Sequence, residues 1–276
     1  MRIHRNGGGH HHTLESLRTV AREAVEDGLG GLWLSQVFAL DSLTALGIVA
    51  PDVAGIELGT SVVPIYGRHP VVLAMQALTT QQASDGRLVL GIGPSHKLVV
   101  EMLLGSSYER PYSDTAAYLD TLLPLLRGEG AVTIEATAPP VLLAALGPRM
   151  LQLASDLADG VALWMTGPKT IADRVSPIVG GKRIVAGISA CVTSDVDAAR
   201  ARAVAEQAVT GRCPRIRQCS RPRGFPGPKT SLSPAQRTRS PPASHGTPAQ
   251  ASPMCASRSS AATATNTNEP AHCCAY

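Results

Sequence analysis

The chain alternates between short, continuously apolar runs and longer segments in which apolar residues recur every three or four positions. Four of the apolar runs end in a turn marked by glycine or proline, and each turn opens a helical segment. A repeated strand–turn–helix unit predicts a parallel sheet or a (β/α) barrel. Because such folds place their chemistry at the carboxyl ends of the strands, these turns are the first candidates for a functional site. The four runs are IELGTSVVP (56–64), LVLGIGPSH (88–96), VLLAALGPR (141–149) and GVALWMTGPK (160–169).

The same reading extended along the chain predicts seven β/α units. A closed barrel of this type needs eight strands, and nothing after residue 210 has the pattern of a strand. We therefore expect an α/β fold of the (β/α)8 type that is incomplete, with Thr13 and Asp41 as helix N-caps and Ser194 or Asp195 capping the last helix. The strands are predicted at 1–6, 31–36, 56–63, 88–93, 141–146, 161–165 and 183–193. Helices are predicted at 13–27, 41–50, 70–84, 97–104, 113–127 and 169–179. A further helix is predicted to begin at Pro148, and the last one to follow Ser194 or Asp195 and end at about Val209.

Composition divides the chain into two parts. Residues 1–210 hold 16 Lys and Arg against 20 Asp and Glu, whereas residues 211–276 hold 9 basic residues against one acidic residue. The second part is rich in Pro, Arg, Ser and Cys and almost without large aliphatic residues, so it lacks the apolar surface needed to offset its ordering entropy. We expect a barrel domain over 1–210 and a disordered or poorly packed basic tail over 211–276.

Several classes of protein are disfavoured by the sequence. There is no apolar stretch of about 18 residues that would predict a transmembrane helix, and the amino terminus lacks the apolar segment of a signal peptide, so we expect a cytoplasmic protein without a membrane partner. The basic tail has little aromatic interleaving, and we predict no nucleic-acid partner. Neither the run His10-His11-His12 nor the tail cysteines have metal-ligand spacing, so no metal site is predicted.

Several long segments resemble the luciferase-like oxidoreductases, in particular the branch that uses the deazaflavin coenzyme F420. Together they cover about residues 1–209 in the order and spacing of that family. The resemblance implies a (β/α)8 barrel of the TIM type that moves a hydride between F420 and a small organic substrate, and it implies a homodimer. The segments are WLSQVFALDSLTAL (33–46), GIELGTSVVPIYGRHPVVLAMQALTTQQASDGRLVLGIGPSH (55–96), YERP (108–111), VLLAALGPRMLQLASDLADGVALWMTGPKT (141–170) and CVTSDVDAARA (191–201).

The chain departs from the family pattern after about residue 210. Members continue with an eighth strand and helix, whereas this chain continues with the basic tail. An out-of-frame reading of a GC-rich gene would produce such a switch in composition, which is a hypothesis that translation of the other two frames tests. The alternative to an active oxidoreductase is therefore an inactive truncated or frameshifted member of the family.

The resemblance implies a wall for the cofactor ring at the ends of the third and fourth strands. Ser61 and Val62 correspond to a non-proline cis peptide that backs the ring, although an ordinary buried strand would show the same β-branched pattern. Gly91 and Gly93 would let the backbone approach a flat ring, with Ser95 beside it. His96 is a candidate acid or base, since histidine titrates near neutral pH, and the alternative is a histidine on a surface loop.

Two later turns are predicted to hold the phosphate and acidic tail of the cofactor. Gly147 with Arg149, and the group Thr166, Gly167 and Lys169, lie where a strand meets a helix amino terminus, whose free N–H groups and dipole favour an anion. Plain helix capping with a surface cation would look the same.

The region after the second strand offers one further candidate. Gln36 is predicted to hydrogen-bond a ring carbonyl of the cofactor. FMN carries a phosphate as F420 does, so an FMN-dependent luciferase-like monooxygenase remains the alternative reading of the whole site.

Overall fold

The computed structural model describes residues 2–8, 13–190 and 193–206, and the predicted tail at 211–276 lies outside these residues. The chain divides into two units, one ending at Gly187 and the other beginning at Ile188. In the second unit, the described part holds helix α8 (Val196–Glu206). Its N-cap is Asp195, because the Asp195 side chain accepts a hydrogen bond from the Ala198 N–H at 3.0 Å.

The first unit contains a parallel sheet in which each of the seven predicted strands has a counterpart. The first strand lies later than its predicted range of 1–6, at Arg5–Gly8, and the last covers only Arg183–Gly187 of the predicted 183–193. Neighbouring strands pair in the order β1-β2-β3-β5-β6-β7-β8, and β4 pairs with β5. The one internal break falls in the third run, predicted as a single strand over 56–63, which divides between Thr60 and Val63. The strands are β1 (Arg5–Gly8), β2 (Gly31–Leu34), β3 (Glu57–Thr60), β4 (Val63–Pro64), β5 (Leu88–Gly93), β6 (Val141–Ala144), β7 (Gly160–Trp164) and β8 (Arg183–Gly187).

The helices also follow the predicted pattern, with two local differences. The expected helix at 97–104 is a π-helical turn, Val99–Leu103, and the expected helix at 169–179 is interrupted by a second π-helical turn, Ile171–Val175. Thr13 and Asp41 cap their helices as predicted. The α-helices are α1 (Leu14–Glu26), α2 (Ser42–Val49), α3 (Pro70–Ala83), α4 (Pro111–Leu126), α5 (Pro148–Leu157), α6 (Pro168–Thr170) and α7 (Ser176–Val179), and a 3-10 turn covers Ala50–Asp52.

The strands β2, β5, β6 and β7 are buried on both faces, which explains why they are continuously apolar. β8 is half-buried along its length, and β1 has the polar sequence RNGG. Alternate strand residues such as Leu58, Leu90 and Leu143 belong to the large core that also contains helix residues. The residues between them form a smaller group, which we call the interior cluster. It consists of Trp33, Val62, Val89, Leu142 and Ala162.

The sheet curls into a half-barrel, as a contact between its two distant strands demonstrates. Arg183 at the start of β8 forms a two-bond ion pair with Glu57 at the start of β3, with nitrogen–oxygen distances of 2.6 and 2.8 Å. The Arg183 guanidinium also lies 5.6 Å from the centre of the Trp33 ring. Since β3 and β8 are separated by β5, β6 and β7 in the sheet, the ion pair crosses the interior at its amino-terminal end.

His4 completes this amino-terminal group. Its Nδ1 lies 3.8 Å from a Glu57 oxygen, and its ring meets the Trp33 ring edge-on at 5.9 Å. Burial lowers the pKa of His4; Glu57 opposes that shift, and Arg183 and Arg2 add to it. The imidazole is therefore held in its neutral form at neutral pH.

Candidate functional site

The break between β3 and β4 is a cis peptide bond between Ser61 and Val62, which confirms the position predicted for it. The Ser61 N–H donates to the Leu34 carbonyl at 2.7 Å, and the Ser35 hydroxyl donates to the Ser61 carbonyl at 2.9 Å. The end of β2 therefore fixes both sides of Ser61.

Thr60 connects the same break to β5. Its hydroxyl, which is fully buried, donates to the Gly91 carbonyl at 2.8 Å and accepts from the Gly91 N–H at 2.9 Å. The side chain thereby satisfies both backbone polar groups of a buried glycine at the point where β3 leaves the sheet.

Gly91 and Gly93 have a packing role that sequence reasoning did not identify. A Cβ atom on Gly91 would overlap the Thr60 carbonyl oxygen, and one on Gly93 would lie 2.6 Å from the Ala144 Cβ. The two methyl groups of Val62 lie 3.1 and 3.3 Å from these Cβ positions. The space that the glycines leave is thus taken by the protein itself, and their contact with a cofactor ring stays a prediction.

The turn after β5 carries Ser95 and His96, both half-buried. Ser95 is in the left-handed region with φ +59°, which is uncommon for a residue with a side chain. Its hydroxyl oxygen is buried and has no hydrogen-bond partner among the described residues. Because buried polar atoms are normally paired, this hydroxyl is available to a ligand.

Gln36 lies directly after Ser35, whose hydroxyl donates to the Ser61 carbonyl. Its carbonyl oxygen accepts from the backbone N–H and the hydroxyl of Ser42, at 2.7 and 2.9 Å, and so helps to start α2. A role in which Gln36 donates to a ring carbonyl would use the other end of its amide, so this prediction is compatible with the observed contacts.

Asp41 and Arg68 form an ion pair beside Gln36, with 2.5 Å between nitrogen and oxygen. This pairing leaves the Arg68 side chain only 20% exposed. Burial acts to raise the pKa of Asp41, but hydrogen bonds from the Thr44 N–H and from Arg68 outweigh it and hold that pKa below its usual value.

The turn after β6 leaves an open helix end. Gly147 is the N-cap of α5, makes no side-chain cap bond, and has no atom within 4 Å of the position where a Cβ would stand. The exposed guanidinium of Arg149 lies 4.6 Å from the centre of the Tyr112 ring. The turn lies at a helix amino terminus, as predicted, and its use as a phosphate site stays a prediction.

The turn after β7 is similar but shorter. Gly167 precedes α6 and also lacks a side-chain cap bond. Thr166 is buried, and its hydroxyl donates to the Trp164 carbonyl at 3.1 Å, while Lys169 is exposed and pairs with Asp173 at 2.9 Å. Both polar side chains already have partners within the protein, so each would have to break its present contact in order to bind a ligand.

The strand order brings the predicted residues to one edge of the sheet. Since β2, β3, β5, β6 and β7 are consecutive and parallel, the turns that follow them all lie at the carboxyl edge. The residues present fit a flat ligand with a phosphate: a polar turn after β5 and two open helix ends on the next two strands. Sequence reasoning missed Ser35, Thr60 and Tyr108, which act through hydrogen bonds. For Ser35 and Thr60 the available signal was a Ser or Thr beside a strand end, and Tyr108 had no such signal.

The fold and this edge define a β/α half-barrel with a candidate active site at its carboxyl ends. The family model described as "Luciferase-like monooxygenase" matches residues 2–264, and the chain belongs to this family of enzymes. The family resemblance inferred from the sequence is thereby confirmed.

Individual relatives agree with this assignment. The chain is 28% identical over 208 residues to the 5,10-methylenetetrahydromethanopterin reductase of Methanolobus tindarius, an alignment that covers 67% of the chain and 64% of that protein. The solved coenzyme F420-dependent tetrahydromethanopterin reductase of Methanopyrus kandleri superposes with a TM-score of 0.62 at 19% identity, covering 75% of this chain and 72% of the other. An F420-dependent secondary alcohol dehydrogenase in complex with an F420–acetone adduct gives 0.68 at 16% identity, covering 83% and 79%. These two likenesses support the fold.

None of the helices in the described ranges is long and apolar enough to cross a membrane. In the same part of the chain, no three His, Cys, Asp or Glu side chains come together as a metal site.

Proposed function

We propose that this protein is an oxidoreductase that uses coenzyme F420 and transfers a hydride to or from a small organic substrate. The observation that carries the proposal is the set of open polar groups on the three consecutive turns after β5, β6 and β7. These are the unpaired Ser95 hydroxyl and the uncapped helix ends behind Gly147 and Gly167. The names of the relatives above support F420 as the cofactor.

The two helix ends suit a phosphate group. Backbone N–H groups in the first turn of a helix, together with the helix dipole, favour an anion, and Arg149 and Lys169 add positive charge beside them. In this proposal the phosphate and acidic tail of F420 lie against Gly147 and Gly167, and Thr166 contributes its hydroxyl.

The residues nearer the cis peptide would orient the ring. Ser61 and Val62 would back it, the Ser95 hydroxyl would donate to it, and the free end of the Gln36 amide would bond a ring carbonyl. When bound, F420 supplies the carbon that carries the hydride. His96 would hold or deliver the proton that the substrate exchanges in the same reaction, because imidazole titrates near neutral pH.

An FMN-dependent monooxygenase is the second candidate, because the family to which the chain belongs is that of the luciferase-like monooxygenases. An inactive family member is the third, because within the described residues no strand pairs with both β8 and β1 to close the barrel. Binding separates the three. Equilibrium fluorescence titration of the full chain with F420 and with FMN is expected to give saturable binding that is tighter for F420. Tighter FMN binding favours the monooxygenase, and a cooperative melt without binding of either cofactor refutes both enzyme proposals.

Single substitutions locate the binding surface. Ser95→Ala is expected to weaken F420 binding by about three- to tenfold, the effect of one lost hydrogen bond. Ser113→Ala on the exposed face of α4 is the matched control and should leave the affinity unchanged. Equal affinities of the two variants would remove Ser95 from the site. The first substrates to assay are a secondary alcohol and a methylene-tetrahydropterin, the classes that the relatives' names indicate.

We also propose that the protein works as a homodimer in the cytoplasm on a small-molecule substrate. The family resemblance supports the dimer, and the location is the expectation drawn from the sequence. Sedimentation equilibrium of the purified chain tests the dimer, and fractionation of the cells that produce it tests the location.

A further inference from the structure

Two tyrosines form a chain of contacts behind the Ser95–His96 turn. The Tyr108 hydroxyl donates to the Ser95 carbonyl at 2.9 Å. Its ring lies 5.7 Å from the ring of Tyr66, and the Tyr66 hydroxyl donates to an Asp114 carboxylate oxygen at 2.7 Å. Tyr108 belongs to the YERP segment (108–111), to which the cofactor site described above assigns no role.

This chain joins three segments at the carboxyl edge of the sheet. Tyr66 lies in the connection from β4 to α3, Tyr108 precedes α4, and Asp114 lies in the first turn of α4. A carboxylate in the first turn of a helix is stabilised by the helix dipole, and the Asp114 N–H donates to the Arg110 carbonyl at 2.9 Å. The Asp114 end of the chain is therefore fixed to a long helix.

The other end acts on a single peptide group. The Ser95 carbonyl belongs to the peptide that joins Ser95 to His96, so a hydrogen bond to it fixes the plane of that peptide. Ser95 also has φ +59°, a sparsely populated conformation that persists when its surroundings determine it. The directions of the Ser95 hydroxyl and of the His96 side chain both depend on this plane.

We propose that Tyr108, supported by Tyr66 and Asp114, is a positioning residue that sets the orientation of Ser95 and His96. This inference rests on the proposed function for its consequence in catalysis, since Ser95 and His96 are the residues assigned there to the cofactor ring and to the proton. The orientation of the turn itself does not depend on any bound cofactor.

Tyr108→Phe is the direct test, because it removes one hydroxyl and keeps the ring beside Tyr66. The chain offers a matched control in Tyr118→Phe, which removes a tyrosine–carbonyl bond of the same length, 2.9 Å, from Tyr118 to the Arg68 carbonyl. Both variants lose one bond of the same type, so a merely structural role predicts the same result for both.

The first measurement uses the full chain without cofactor. NMR spectra give the backbone amide shifts of Ser95 and His96 and the pH titration of the His96 ring, whose signal is assigned with His96→Gln. Tyr108→Phe is expected to move both amide shifts and the His96 titration, and Tyr118→Phe is expected to leave them as in the unmodified chain. Shifts in Tyr108→Phe that match those of Tyr118→Phe would overturn the proposal.

The second measurement is F420 affinity by fluorescence. Tyr108→Phe is expected to weaken binding by about three- to tenfold, as the loss of one oriented hydrogen bond would, whereas Tyr118→Phe should change it less than twofold. If the unmodified chain binds no F420, the proposed function fails while the NMR result still decides the positioning role. If the unmodified chain binds F420 and both variants bind it equally, the positioning role fails.

Discussion

The ion pair between Glu57 and Arg183 makes a quantitative prediction about how the half-barrel holds its shape. We consider Arg183→Met, which removes the charge and keeps an apolar stem to pack on Trp33. The Glu57 carboxylate, whose side chain is only 16% exposed, then loses two hydrogen bonds at 2.6 and 2.8 Å and keeps His4 at 3.8 Å as a weak neighbour.

The expected loss of unfolding free energy lies between the values known for buried and for exposed ion pairs. Removing one partner of a fully buried pair costs about 3–5 kcal/mol, because a buried charge is left without compensation. Exposed pairs contribute about 0–1 kcal/mol. Since the Arg183 side chain is 34% exposed, we expect the free energy of unfolding to fall by about 2 kcal/mol, between those limits.

The opposite substitution should cost less. Glu57→Gln leaves Arg183 without its carboxylate, but the guanidinium reaches solvent and lies over the Trp33 ring, so about 1 kcal/mol is expected. The double variant should lose less than the sum of the two, with a coupling energy of about 1 kcal/mol.

Urea unfolding of the full-length variants measures these free energies. Arg22→Met is the control, because Arg22 pairs with Glu15 on the surface of α1 with side chains 52% and 74% exposed, and its loss should stay within about 0.5 kcal/mol. If the loss of unfolding free energy in Arg183→Met is as small as that in Arg22→Met, the ion pair does not stabilise the contact between β3 and β8, and the reasoning is wrong.

Three further predictions concern the fixed parts of the sheet. Gly91→Ala should destabilise the protein by about 3 kcal/mol or more, because the new Cβ would overlap the Thr60 carbonyl. Gly147→Ala is the control: its Cβ meets open space, so it should cost under about 1 kcal/mol, and thermal melts of the two variants compare them. Thr60→Val should cost about 2–4 kcal/mol because both backbone groups of Gly91 lose their partner, and Thr60→Ser should recover most of it in urea unfolding. Because the pKa of His4 is lowered in the folded state, the unfolded chain binds more protons below pH 6.5, so stability should fall as the pH drops below that value; a His4→Phe variant that keeps the same slope would contradict this.

The fold could be predicted because its signal is local. In β2, β5, β6 and β7 the residues facing the large core alternate with residues facing the interior cluster, as Leu88, Val89 and Leu90 do in β5, so a continuous apolar run marked each of these strands. β1, with the sequence RNGG, carries no such signal. Strand ends were less certain, because the last residues of a run, such as Ala145 and Leu146, continue the apolar pattern after the ladder has ended at Ala144. The cis peptide between Ser61 and Val62 was predicted from the family resemblance and not from periodicity, and the division of the third run into β3 and β4 was not predicted.

The site was predictable only in outline, for a different physical reason. The turns at the carboxyl edge follow from strand order, so Gly147 and Gly167 could be placed from the sequence. The contacts of Thr60 with Gly91 and of Tyr108 with Ser95 join residues 31 and 13 positions apart. Nothing in a one-dimensional pattern distinguishes such a hydroxyl from one that faces solvent.

The two ends of the half-barrel should therefore respond differently to substitution. Glu57, Arg183 and His4 lie at the amino ends of the strands, where barrel folds place stability, and the turn that holds Ser95 lies at the carboxyl ends, where they place chemistry. Arg183→Met, studied at a temperature where the variant remains folded, should lower the unfolding free energy and leave F420 affinity within twofold of the unmodified chain. Ser95→Ala should weaken F420 binding and leave the unfolding free energy close to that of the unmodified chain. If Arg183→Met weakened F420 binding as much as Ser95→Ala while still folded, the curvature set at the amino end would control the geometry of the carboxyl edge, and the separation argued here would not hold.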